Sequence, residues 1–363
     1  MTRERPSKIE IRGMEKDLGA ILDSFVGNWR LKELNRALYR AAWEEYLPIE
    51  IYDEEKKIVE TQNEEWTMAY VPRVCVRKVQ PRHAPQSVRD TSDLNNWPYF
   101  ILLLNTARDS RPQNPQKDSS EKKEDMLQKN ILDKDMIISE LEDFYLTPNG
   151  FPYHYYASLL ISKNSRPQGN ITPDDITTWI KFSFLTDQYV FFNAVHAGAS
   201  QNQRFHAQVV DPTALRYEIK SLEYPILRAS QHEIKRDVYS LEDYPVGALI
   251  FAGKDAPYNT ARLVMQLEGH NIPYNVIVHG EKVYVVGRNA KRERSDCIGK
   301  NLGGYEISGV VLVGNVEEDI LKKAGLQKVI HGIEVFDELT YEVVRSNIEA
   351  SSIHKGWLKD LLT

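Results

Sequence analysis

Phe191-Phe192-Asn193-Ala194-Val195-His196-Ala197-Gly198-Ala199-Ser200-Gln201-Asn202-Gln203-Arg204-Phe205-His206-Ala207-Gln208-Val209-Val210 joins a turn of small residues to a stretch that alternates. From Arg204 onward, Arg204, His206 and Gln208 share one side of a two-residue period, while Phe205, Ala207 and Val209 share the other. A strand with one face in a core and the other lining a pocket has this pattern. The turn from Gly198 to Asn202 offers backbone N–H groups with no bulky side chain over them, as an anion-binding concavity requires. Phosphate chemistry is the expectation.

The residue types support it. A neutral imidazole attacks phosphorus to give a phosphoramidate, which divides one difficult displacement into two easier ones. His206 is the candidate nucleophile. Gln208 can donate its amide N–H to a non-bridging oxygen, and the turn can bind the charge that builds on the transferring group. The substrate-binding candidates are Asn193, Gly198, Ala199, Ser200, Gln201 and Asn202. Arg204 cannot accept a proton, but its guanidinium can clamp two phosphate oxygens, and a cation beside the imidazole favours its neutral form. The scheme needs no metal and no cofactor.

Gly198-Ala199-Ser200 followed by Arg204-Phe205-His206-Ala207-Gln208 resembles the signature of the histidine-triad superfamily, in its transferase branch. There a Gly-Ala-Ser or Gly-Cys-Ser turn leads into His-x-His-x-Gln, whose second His takes up a nucleoside monophosphate. The resemblance implies that His206 is this nucleophile and Gln208 the transferase-type Gln, with Arg204 standing where the first His would be. Hydrolases of the superfamily typically carry His at the third position. Gln208 is instead similar to hexose-1-phosphate uridylyltransferases, diadenosine tetraphosphate phosphorylases and nucleotide-hexose phosphorylases. Asn149-Gly150-Phe151-Pro152-Tyr153-His154-Tyr155 and the apolar run after it resemble the Asn-Pro-Phe-Pro segment of the phosphorylases, and Ile272 to Arg288 resembles their second-half hairpin. The first 90 residues resemble no family.

Outward from the motif, Thr172 is a natural cap and Pro173 a first-turn residue for a helix over about 173–190, preceded by a strand over 153–161. A second unit follows. It comprises a strand at 246–251, a helix at 257–269 with Ala261, Leu263, Val264 and Leu267 apolar, the hairpin at 272–288, a strand at 306–313 and a helix at 317–324. Residues 224–236 are expected to bridge the two units. Helical periodicity marks 14–48, strand patterns mark 49–52 and 65–79, and the polar stretch 105–129 is expected to be a solvated loop. His154, His196, Lys163, Arg166 and Arg288 are candidates for phosphate or sugar contacts, with structural or solvated roles as the alternatives.

The chain of 363 residues can hold two ordinary domains. Its net charge of -6 argues against nucleic acid as the main partner. Cys75 and Cys297, far apart and without a Cys-x-x-Cys pair, indicate neither a disulfide framework nor a thiolate zinc site, which fits a reducing cytoplasm. The longest apolar run, near Tyr99 to Leu104, is too short to span a membrane, and the N-terminus lacks the apolar region of a secretory signal. A cytoplasmic location with no membrane partner is the expectation.

The combined expectation is an α+β protein of two histidine-triad-like halves, each an antiparallel sheet with packed helices. Residues 1–235 would be catalytic, with an N-terminal helical extension, and residues 236–363 degenerate. The activity would be nucleotidyl transfer or phosphorolysis through a nucleotidyl-His206 intermediate. The partners would be a nucleotide sugar or dinucleoside polyphosphate as donor and phosphate or a sugar phosphate as acceptor; a homodimer is compatible with this. Three alternatives stand beside it: a hydrolase of the same superfamily, disfavoured by Gln208; a non-catalytic nucleotide binder, favoured by Arg204; and an ordinary hairpin that binds no nucleotide.

Overall fold

The computed structural model describes residues 137, 139–149, 157–199, 202–210, 224–242, 244–295, 300–313, 346 and 348–353. It also describes the backbone of strands at 75–78, 101–104, 327–330 and 333–336. The helices expected at 14–48 and 317–324, the strand at 49–52, the loop at 105–129, and Gly150 to Tyr155 of the second motif lie outside the described residues, as do Ser200 and Gln201.

In chain order the elements are β1 (Cys75–Lys78), β2 (Ile101–Leu104), β3 (Ser139–Leu141), β4 (Phe144–Pro148), β5 (Ser158–Ser162), α1 (Pro173–Thr186), β6 (Tyr189–Asn193), β7 (His206–Val210), α2 (Pro225–Arg228), β8 (Gln231–Lys235), β9 (Val238–Leu241), β10 (Ala248–Phe251), α3 (Ala256–Gly269), β11 (Tyr274–His279), β12 (Lys282–Gly287), β13 (Arg294–Ser295), β14 (Lys300–Asn301), α4 (Gly304–Ile307), β15 (Val310–Val313), β16 (Gln327–Ile330) and β17 (Ile333–Phe336).

Among the described residues, β3 to β12 form one ten-stranded sheet in the order β3-β4-β5-β7-β6-β11-β12-β10-β9-β8, and every pairing in it is antiparallel. The order reads alike from either edge. Three strands, a helix and two strands run from β3 to β7, and the same succession runs from β8 to β12. The two runs meet where β6 pairs with β11, with Phe192 opposite Val276 and Asn193 opposite Asn275. A smaller sheet joins β1, β2 and β15.

Local chemistry explains why α1 starts and stops where it does. Thr172 accepts from the Asp175 N–H, the Asp175 side chain accepts from the Thr172 N–H, and Pro173 occupies the first turn, so the free N–H groups of the helix start are met. The end comes at Asp187, which takes a left-handed conformation and donates its N–H to Ser183 O. The helix expected to reach 190 therefore stops at 186, and Tyr189 begins β6. Helices α1 and α3 share one face of the sheet. Trp179 stacks on Phe192 and Phe205 at 5.5 and 5.9 Å, and Leu263, Val264 and Leu267 belong to the same apolar cluster as Val276, Val278, Val283 and Val285. Removing a side chain as large as Trp179 from such a core costs about 3–5 kcal/mol.

The alternation of the motif strand is realised. Phe205, Ala207 and Val209 lie in the apolar cluster, which puts His206 and Gln208 on the face turned away from the helices. Phe191 and Tyr189 share that outer face, where Tyr224 and Tyr305 pack edge-on and tilted against them.

Three expectations change. The polar run ending at Arg236 is not a bridge: Gln231 to Lys235 is β8, an edge strand whose exposed His232, Glu233 and Lys235 suit an unpaired rim. The strand expected over 306–313 divides into α4 and β15, because the Glu306 carboxylate accepts from Gly303 N–H at the start of a helical turn. The strands β3 and β4 were not anticipated at all; they are joined by a tight Glu142-Asp143 turn with no Gly or Pro to announce it.

Candidate functional site

His206 begins β7, and its side chain is buried. Its Nδ1 lies 2.9 Å from the carbonyl oxygen of Arg204. A carbonyl can only accept, so Nδ1 carries the proton, and in the neutral ring the basic lone pair is on Nε2. Gln208, one pleat further on the same face, is half-buried between Leu159 of β5 and Phe191 of β6.

The two residues before the strand are set by the loop between β5 and α1. Ser162 N–H donates to Phe205 O, Phe205 N–H to Arg166 O, and Gln168 N–H to Asn202 O, which extends the β5–β7 pairing past the strand ends. The Arg166 guanidinium lies 3.6 Å from the centre of the Phe205 ring, donates to Asn170 O and ion-pairs with Asp175. Arg166 thus pins its own loop. Lys163 pairs with Glu140 at 3.1 Å near the surface. Arg204 is buried, with Nη2 3.3 Å from Ser162 O, so its head lies against the end of β5.

The carboxamide of Gln168 closes the gap between β6 and β7. Its Oε1 accepts from His206 N–H at 3.0 Å, and its Nε2 donates to Asn193 O and His206 O, both at 2.9 Å. Asn193 then connects to β11. Its Oδ1 accepts from Asn275 Nδ2 and from Gly304 N–H, both at 2.7 Å, which leaves its own amide nitrogen turned away from those partners. Asn275 also donates to Ala197 O at 2.8 Å and accepts from Arg288 Nη1 at 2.6 Å.

Arg288 is not a solvated surface residue. It is fully buried, donates to Ser351 O and Leu302 O, and burial lowers its pKa to about 10 against the opposing pull of Glu293 and Glu306. Buried Lys300 ion-pairs with Glu306 nearby.

The turn at Gly198 holds a further surprise. Gly198 has φ of +91°, and a Cβ there would fall 2.4 Å from Gly303 Cα, so two backbones touch where only glycine fits. Its N–H, expected to face an anion, donates to Glu293 Oε1 at 3.0 Å. The other oxygen of Glu293 lies 3.7 Å from Nδ1 of the exposed His196. Ala199 is half-buried beside this contact, and Asn202 Oδ1 is buried with no hydrogen-bond partner among the described residues. The structure therefore gathers Asn193, Gly198, Asn275, Arg288 and Glu293 at the junction of β6 and β11. Gln168 ties this group to His206.

Sequence reasoning missed Gln168, Asn275 and Glu293. Asn275 left a visible trace, a carboxamide inside the apolar run Tyr274 to Val278. Gln168 left none, since Arg166-Pro167-Gln168-Gly169-Asn170 looks like an ordinary loop.

Among the described residues, no cluster of three or more His, Cys, Asp or Glu is arranged to hold a metal ion, and no helix is long and apolar enough to cross a membrane.

Residues 222–330 match the family model of the GDPGP1-like C-terminal domain. This stretch runs from α2 through β16 and includes Asn275, Arg288 and Glu293. The match agrees with the phosphorylase branch to which the Gly-Ala-Ser turn and Gln208 pointed. Solved structures of yeast Ap4A phosphorylase Apa2 are similar as well. The first has TM-score 0.49 and 13% identity, and the match covers 70% of this chain and 85% of that one. The same yeast enzyme in complex with Ap4A gives TM-score 0.48 at 14% identity with equal coverage. In complex with AMP it gives 0.44 at 15%, covering 62% and 79%. No curated protein matches the chain.

Proposed function

We propose that the protein is a nucleotidyltransferase of the phosphorylase type, with His206 as its nucleophile. The observation that carries this reading is the hydrogen bond from His206 Nδ1 to Arg204 O, which leaves Nε2 as the attacking nitrogen. The GDPGP1-like match over residues 222–330 supports the phosphorylase class.

In the first step the Nε2 lone pair forms a P–N bond to the nucleoside-bearing phosphorus of a nucleotide sugar or dinucleoside polyphosphate. The P–O bond to the leaving phosphate breaks, and its electron pair departs with that oxygen. In the second step an oxygen of inorganic phosphate or a sugar phosphate attacks the same phosphorus, and the pair returns to Nε2. The Nδ1 proton stays on His206 throughout. Positive charge develops on the ring as the P–N bond forms, so the bond to Arg204 O strengthens in the transition state. Gln208 and the unused amide nitrogen of Asn193 would donate to the equatorial oxygens.

We assign the run β3–β7 to the active histidine-triad-like half and β8–β12 to a degenerate one. A boundary at residue 235 would cut the β8–β9 hairpin, so the division falls better ahead of α2. On its outer face β12 carries Lys282, Tyr284 and Val286 where β7 carries His206 and Gln208, which supports the assignment of the second half as degenerate.

Intact-mass measurement after mixing with nucleotide sugars and dinucleoside polyphosphates tests the reading. An acid-labile nucleoside monophosphate adduct is expected on the wild type and not on His206→Ala, with nucleotide affinity of the variant within about tenfold. An adduct retained by His206→Ala would overturn the assignment. Arg204, where the superfamily places its first His, favours one second reading, a nucleotide binder without turnover; binding by both proteins with no adduct would establish that instead.

A further inference from the structure

We infer that Gln168 is a positioning residue for the His206 imidazole, acting as a substitute peptide group in the sheet. The inference rests on the nucleophile reading above, but its geometry stands apart from it. The β6–β7 ladder pairs Tyr189 with Val210, Val190 with Val209 and Phe191 with Gln208. Continued along the same diagonal, it would set Asn193 opposite His206. The ladder ends short of that position, and the carboxamide of Gln168 fills the opening. One Nε2 hydrogen goes to Asn193 O and the other to His206 O, while Oε1 receives His206 N–H. Both peptide groups of His206 are therefore held by one side chain. Gln168 is itself buried and anchored by its own N–H to Asn202 O.

This placement matters because the ring takes its orientation from the backbone. Nδ1 is fixed by Arg204 O, two residues back on the same strand. If the chain from 204 to 206 shifts, the carbonyl leaves the Nδ1 proton, the two ring tautomers become comparable in energy, and Nε2 loses its aim. A displacement of about 1 Å at a reacting group can lower the rate about 100-fold. Asn193 hangs on the same carboxamide, so nucleophile and candidate oxygen donor are set in register by one residue that touches neither phosphorus nor leaving group.

The test uses the full-length protein with 15N-labelled histidine, in which two-bond 1H–15N correlations identify the tautomer of each ring. Wild type is expected to show His206 as the Nδ1–H form alone. Gln168→Ala should show a mixture of tautomers and form the adduct at least about 30-fold more slowly, with nucleotide Kd changed less than about threefold. Gln168→Glu keeps the size and the acceptor but loses the paired donors, and it is expected to behave like Gln168→Ala; it carries the test if the smaller side chain prevents folding. A single Nδ1–H tautomer and wild-type adduct rate in either folded variant would overturn the inference. If the wild type forms no adduct with any nucleotide, the nucleophile reading fails, while the tautomer of His206 in the two variants still decides the role of Gln168.

Discussion

Asn193 and Asn275 face each other across the β6–β11 ladder, and the Asn275 carboxamide donates to the Asn193 carboxamide oxygen at 2.7 Å. Each is buried, and each comes from a different run of the sheet. Asn275 also holds Ala197 O and Arg288 Nη1, so it is the point at which a buried cation, a turn and the end of β6 are held together.

Asn275→Ala should therefore lower stability by about 3 kcal/mol, since it strips partners from Asn193, Ala197 and a buried guanidinium at once. Urea unfolding with an unchanged slope measures it. A loss under about 1 kcal/mol would mean that water replaces the missing carboxamide.

Gly198→Ala should cost about 2 kcal/mol or more. The residue would be strained at φ +91°, and its Cβ would collide with the Gly303 backbone, which has no side chain to move aside. Thermal unfolding reports the loss, and the proposed adduct should form more slowly because the turn and Leu302-Gly303-Gly304 must separate.

Glu293→Gln should tighten the binding of inorganic phosphate about fivefold at low ionic strength. The amide oxygen can still accept from Gly198 N–H, but the negative charge beside the turn proposed to bind phosphate is gone, worth about 1 kcal/mol at partly solvated distances. Titration calorimetry at two salt concentrations checks this, with the gain shrinking as salt rises. Equal affinities at low salt would place the phosphate site elsewhere.

Tyr274 controls an alkaline limb. Burial first, and then its hydrogen bond to the Glu268 carboxylate, push its pKa far above the ordinary 10.0. Below pH 10 both folded and unfolded forms keep the phenol proton; above it only the unfolded chain releases the proton, so this contribution falls by about 1.4 kcal/mol per pH unit. Arg288, with its pKa lowered to about 10, acts oppositely over the same range. The difference between wild type and Tyr274→Phe isolates the phenol: the wild-type advantage should be constant to pH 10 and shrink above it. An advantage that stays level to pH 11 would contradict the assignment.

The sequence carried much of this fold because local signals agreed with global ones. Thr172, Pro173 and Asp175 cap α1 by chemistry internal to four residues, and the alternation from Phe205 to Val209 sends Phe205, Ala207 and Val209 into the apolar cluster under the helices. Other features failed to show because they depend on partners far along the chain. Gly198 looked like a phosphate nest, yet what it fits is Gly303, and its N–H answers Glu293, 95 residues away. Arg288 at the end of a hairpin resembled a solvated cation until Ser351, Leu302 and Asn275 closed over it. Gln168 did the work of a main-chain amide, and no composition or spacing distinguishes such a side chain from its loop neighbours.

The continuous ladder at β6–β11 also limits how the gene could be divided. A fragment ending after β7 would present Tyr189-Val190-Phe191-Phe192-Asn193 as a bare rim, apolar along nearly its whole length and free of the lysines and prolines that keep natural rims from sticking to one another. Such a fragment would be expected to precipitate or pair with its own copies, restoring between chains the seam that the intact polypeptide makes within one. Shuffling this unit onto a new partner would therefore require that partner to bring a matching strand.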